Sequence, residues 1–162
     1  MRGSRALTTF AAGIVALAAV AGTACGGSDD EPGALSRSSF ATKANDLCSK
    51  AGTERSALLQ QLPPSPSGAA DAQKLKSVAS TDRELVRRVD ALVPPEAEQD
   101  RVDMVLDAWR RRAGVEDQYA DAVGAMQDPA TIASFTDNLA QIDAATDPVA
   151  VQLGLTGCAS AW

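Results

Sequence analysis

The chain has no histidine in its 162 residues. That absence removes Ser-His-Asp and Cys-His catalysis, and with them the commonest zinc ligand. It also removes the Glu-x-x-His pairs with which helical bundles hold di-metal centres. Serines are present, but none has a base partner. The three cysteines never stand as CxxC, so a redox dithiol has no framework. Aromatics are few: two Trp, one Tyr and three Phe. Nothing alternates with period two for long enough to form a strand. Basic charge is the minority sign, with 15 Lys and Arg against 21 Asp and Glu and a formal net charge of −6. A surface of that sign repels nucleic-acid phosphates and anionic headgroups at long range, which excludes nucleic acid as a partner.

What is present begins with an address. Arg2 and Arg5 form a positive n-region, Leu7 to Val20 an apolar h-region, and Gly22-Thr23-Ala24 the small residues a signal peptidase needs. Cys25 follows directly. Thr23-Ala24-Cys25 resembles the bacterial lipobox, with Gly22 standing where Leu is usual. The resemblance implies cleavage between Ala24 and Cys25, and a diacylglyceryl group on the Cys25 thiol. Gly26 to Glu31 then reads as a polar, Gly-rich tether. The expected division is a signal peptide over 1–24, a lipidated N-terminus and disordered tether over 25–37, and a helical domain over 38–162. Loss of Arg2 and Arg5 leaves 13 basic residues against 21 acidic ones, a net charge of −8. The alternatives are plain secretion after cleavage at Ala24, or a retained anchor. Against the anchor, the apolar run is only just long enough to span a bilayer and is rich in Ala and Gly.

Beyond the tether, apolar residues recur at helical spacing. Ser38 or Ser39 is placed to cap a first helix whose face is Phe40, Ala44, Leu47, Ala51, Leu58 and Leu62, with Arg55 a polar exception. Pro63-Pro64-Ser65-Pro66-Ser67-Gly68 ends it. Leu75, Val78, Leu85, Val89 and Leu92 mark a second helix over about 71–92, interrupted by Asp82. Pro94-Pro95 starts a third, reaching about Met126, with Val102, Val105, Leu106, Trp109, Ala113, Ala120 and Val123 inward and a slight bend allowed at Gly114. Asp128-Pro129 caps a fourth that carries Ile132, Phe135, Leu139, Ile142, Val149 and Leu153. Pro148 should kink or interrupt it, and Gly154 suits its C-cap. Abundant Ala favours close helix packing. The expected fold is all-α, an antiparallel up-down four-helix bundle.

With Cys25 lipidated, Cys48 and Cys158 remain, and in an exported chain two thiols usually pair. Cys48 lies near the start of the first helix and Cys158 just past the fourth. An even number of antiparallel helices brings those ends together, whereas three helices would separate them beyond disulfide reach. The alternative is a free, buried Cys48.

The segment Phe40-Ala41-Thr42-Lys43-Ala44-Asn45-Asp46-Leu47-Cys48, the Leu-Pro-Pro and Val-Pro-Pro turns, and the ending Gly154-Leu155-Thr156-Gly157-Cys158 resemble a group of small actinobacterial secreted proteins and lipoproteins. Their pattern is aromatic-x-x-x-Ala-Asn-x-x-Cys near the start and Gly-Leu-x-x-Cys at the end. Scarce Lys beside Arg, with common Ala, Asp and Gly, resembles the composition of high-GC proteomes of that kind. The resemblance implies the bundle and the disulfide and carries no catalytic residue.

Four surface features invite a functional reading, and each has a plainer one. Trp109-Arg110-Arg111-Arg112 suits a phosphate, an anionic lipid or a cell-wall polymer. Yet Asp103, Asp107 and Arg111 lie four apart, as do Arg112 and Glu116, which is the pattern of a salt-bridged solvent face. Arg87-Arg88 reads the same way. Asn45 beside the apolar stripe suits an amide bridge between helices. Asp29-Asp30-Glu31 lacks EF-hand spacing and reads as a solvating run. No enzyme constellation and no cofactor follow. The functional expectation is a non-catalytic lipoprotein at the outer face of the cytoplasmic membrane, contacting an envelope protein or polymer. The alternative is a small apolar ligand held between helices.

Overall fold

The computed structural model describes residues 33–159, which are helical with no strand. Four long helices, α1 (Arg37–Leu59), α2 (Gly68–Asp90), α3 (Gln99–Gly124) and α4 (Pro129–Gln152), precede a single turn, α5 (Thr156–Ala159). Proline sets the breaks. Pro63 and Pro64 follow α1, while Pro94 and Pro95 lead into a 3₁₀ turn over Glu96–Glu98 that precedes α3. The third helix therefore starts later than its leading prolines suggest. The α1 cap is Ser36, not Ser38 or Ser39: its Oγ accepts from the Ser39 amide at 3.2 Å. Asp128 caps α4 as expected, accepting from the amides of Ala130 and Thr131 at 3.0 and 3.1 Å.

Placement begins before residue 38. The Leu35 amide donates to the Val93 carbonyl at 2.9 Å, and Leu35 packs against the core. Pro148 does not interrupt α4, which runs through it to Gln152. The carbonyl that Pro148 leaves without a helical donor belongs to Ala144, an exposed residue. Gly154 ends α4 with φ +81°, a conformation costly for a side chain, and a Cβ there would come within 3.3 Å of the Ala41 Cβ. The Leu155 amide reaches back to Ala150 at 2.8 Å and closes that turn.

The buried apolar side chains form two clusters. The larger takes Phe40, Ala44 and Cys48 from α1, Leu85 and Val89 from α2, Val102, Leu106 and Trp109 from α3, Ala150 from α4, and Leu155 and Cys158 beyond it. The smaller takes Leu75 of α2 and Ala120 and Val123 of α3, with Leu62, Tyr119 and Ile132 against them. α2 and α3 run antiparallel, because their ion pairs Lys76–Asp121, Arg83–Asp117 and Asp90–Arg110 rise along one and fall along the other. α1 packs on α2 and α5, and α4 packs on α3 and α5, so α5 sits between α1 and α4 at one end. This leaves the expected apolar face of α4 only half-buried at Ile132, Phe135, Leu139 and Ile142. Cys48 stands at the middle of α1, not near its start, and the disulfide joins it there to Cys158 of α5, with Cα atoms 4.9 Å apart.

Candidate functional site

Between the two apolar clusters lies a layer of charge. Arg55 of α1, Asp82 of α2, Arg112 and Glu116 of α3, and Asp143 of α4 converge there. Asp82, Arg112 and Glu116 are 1%, 3% and 4% exposed, which makes them core residues in all but chemistry. Both guanidiniums bridge the same two carboxylates. Arg55 reaches Glu116 Oε1 at 2.9 Å and Asp82 Oδ2 at 3.4 Å. Arg112 Nη1 reaches the same oxygens at 2.5 and 3.2 Å, while its Nε donates to Asp143 Oδ1 at 2.8 Å. Burying charge is unfavourable unless it is paired and hydrogen-bonded, and this reciprocal pairing is what the layer provides.

The sharing is incomplete. Asp82 Oδ1, Glu116 Oε2 and Asp147 Oδ1 are buried and receive no protein donor. Burial, together with the neighbouring Glu116 carboxyl, pushes Asp82 up to about 8, against the pull of Arg55 and Arg112. Burial also pushes Glu116 up, but its hydrogen bond with Asp82 and the charges of Arg112 and Arg55 outweigh it and hold Glu116 below the ordinary range. Asp147 is raised by burial and by Asp143. Burial alone would lower Arg112, yet Glu116, Asp143 and Asp82 raise it above the ordinary guanidinium value.

The expected solvent face on α3 is thereby corrected. Arg112 and Glu116 point inward, because positions 109, 112, 113, 116 and 120 share the buried side of the helix. Arg110 and Asp107 stay outside and pair at 2.6 Å, with Asp90 on the other side of Arg110 at 3.0 Å. Arg87 is exposed and paired with Glu84. Asn45 does bridge: its amide nitrogen donates to the Gly154 carbonyl at 2.8 Å, and its oxygen accepts from the Gly157 amide at 2.9 Å. Ala24 and Cys25, the expected cleavage and lipid-attachment residues, lie outside the described residues, as do Asp29, Asp30 and Glu31.

An open groove of about 720 Å³ runs along α1, lined by Ser49, Gly52, Thr53, Arg55 and Ser56, with Gly157 at one end. Its lining is small and hydroxyl-rich. Among the described residues no group of three or more His, Cys, Asp or Glu is placed to hold a metal ion, and no helix is long and apolar enough to cross a membrane. In the sequence Arg55 and Asp82 show as interruptions of two separate apolar stripes with nothing to join them, and Asp143 carries no local mark. Charged residues at stripe positions on three helices were the available signal. Compared with family models, curated proteins and solved structures, the chain has no match.

Proposed function

We propose that the mature chain is a non-catalytic interaction module of the cell envelope, held to the outer face of the cytoplasmic membrane by lipid on Cys25. The N-terminal sequence supports the address, through its n-region, h-region and the lipobox-like Thr23-Ala24-Cys25. The resemblance to small actinobacterial secreted proteins agrees with it. We read the helices as an up-down bundle, supported by the antiparallel register of α2 and α3 and by the meeting of Cys48 and Cys158.

The charge layer carries the functional reading. Bundles house apolar ligands in the space between facing helices. Here five charged side chains occupy that space, and an apolar guest would strip them of their pairing. Recognition is therefore assigned to the outer surface, where Val93, Met104, Met126 and Val151 are half-exposed or more. Crosslinking in native membranes followed by mass spectrometry is expected to recover a discrete envelope partner; recovery of bulk membrane protein alone counts against the proposal. The address has its own test. Cys25→Ser should move the protein from the detergent phase to the aqueous phase, and unchanged partitioning would refute lipidation.

A further inference from the structure

The stoichiometry of the layer has a consequence for protons. Asp82, Glu116 and Asp143 share the guanidiniums of Arg55 and Arg112, so the five groups are neutral together when one proton is bound. In a low-dielectric interior a neutral set is strongly favoured over one with an excess charge. Geometry selects the group that takes the proton. The Asp143 side chain is 26% exposed and meets water, and Glu116 takes the two shorter arginine contacts, at 2.9 and 2.5 Å. Asp82 has the longer contacts, at 3.4 and 3.2 Å, and no protein donor reaches its Oδ1. Its Oδ2 and Glu116 Oε1 are held on the same Arg112 Nη1, at 3.2 and 2.5 Å, which sets the two carboxyls side by side.

We propose that Asp82 and Glu116 share one bound proton at neutral pH, and that its release to water in mild alkali loosens the hold of α4 on the layer. In the protonated state the Asp82 hydroxyl donates to the Glu116 carboxylate. When that O–H bond breaks, the proton leaves and its electron pair stays on Asp82, which gives three anions for two cations. Asp143 is the most exposed of the three, with Asp147 one turn further along α4, so its swing into water relieves the excess most cheaply. The groups facing Asp82 are Arg55 from α1 and Arg112 and Glu116 from α3. Asp143 acts from α4 through Arg112.

The sign follows from linkage. A carboxyl raised in the folded state binds its proton more tightly there than in the unfolded chain. Its contribution to stability is complete below its unfolded value of 3.8 and is lost as pH rises to about 8. Carboxyl-carbon NMR of the aspartate-labelled chain, with assignments from backbone connectivities, is expected to give Asp82 a midpoint near 8. The thermal midpoint of the chain should fall from about pH 5 to about pH 8 and then level. Asp82→Asn should lose the part of that fall centred near 8, leaving the smaller slope that the raised Asp147 contributes, and Glu116→Gln should shift the Asp82 midpoint downward. Amide exchange around Asp143, corrected for intrinsic pH dependence, should quicken about tenfold relative to α2 across the same midpoint. An Asp82 midpoint near 3.8, or one unmoved by Glu116→Gln, overturns the shared proton. Exchange in α4 that ignores the midpoint overturns the loosening. Should Asp82→Asn fail to fold, the titrations of the parent chain and of Glu116→Gln decide the question without it.

Discussion

Arg112 is the residue on which the charge layer turns, because it touches Asp82, Glu116 and Asp143 at once. Arg112→Met would leave Asp82 and Glu116 buried with Arg55 as their remaining guanidinium, and Asp143 without its arginine, which is expected to cost about 3–5 kcal/mol in chemical denaturation. Replacing the whole set is a different matter. Arg55→Met, Asp82→Leu, Arg112→Met and Glu116→Leu together are expected to lose far less than Arg112→Met alone, since well-packed apolar groups often match a buried ion network. Near-additivity of the single effects in a denaturant series would contradict that. These residues were only half-legible in the sequence. Arg55 lies four after Ala51 and Asp82 four after Val78, so both are visible as polar residues on apolar faces. Nothing local says that two such exceptions on different helices are each other's partners. Arg112 and Glu116 misled for a physical reason: opposite charges four apart have the same spacing on a wet face and a dry one, and periodicity measured from Trp109 and Ala113 is the better guide.

Elements were more readable than their edges. The prolines at 63, 64, 94, 95 and 129 place six of the eight long-helix boundaries to within about five residues, all but the start of α1 and the end of α4, because proline acts on the backbone alone. Ser36 was missed as a cap since Ser38 and Ser39 have the same chemistry, and only the chain's entry past Val93 distinguishes them. One boundary carries strain. Met126 closes α3 at φ 52°, with the Gln127 amide reaching the Ala122 carbonyl at 3.0 Å, in the position where glycine is usual. Its side chain is 74% exposed and packs little. Met126→Gly should therefore raise stability by up to about 1 kcal/mol, and a lower thermal midpoint would show that the side chain has a role in packing. Inside α4, Pro148→Ala restores a donor for Ala144 and is expected to stabilise by about 2 kcal/mol after the unfolded-state offset, measured by denaturant titration.

At the scale of the whole molecule, the all-helical class was legible in the spacing of apolar residues, and the Cys48–Cys158 bond in the presence of just two thiols within the helical domain. The half-exposed face of α4 did not, because an amphipathic stripe shows which side faces inward and not how many neighbours will cover it. The disulfide closes a loop of 110 residues, and Cys48→Ala with Cys158→Ala is expected to lower stability by about 4–5 kcal/mol, read as a shift in urea midpoint at unchanged slope. The same bond sets how the molecule bears a pull. A load applied between Gly33 and Ala159 enters α1 and crosses directly from Cys48 to Cys158, which bypasses the helices between them. In the oxidised state such a pull can pay out only the lead-in to Cys48, roughly 50 Å of chain, whereas reduction would release roughly 370 Å more. For a chain tethered at one end and gripped at the other, the bridge is a mechanical stop: it keeps most of the fold out of the line of tension.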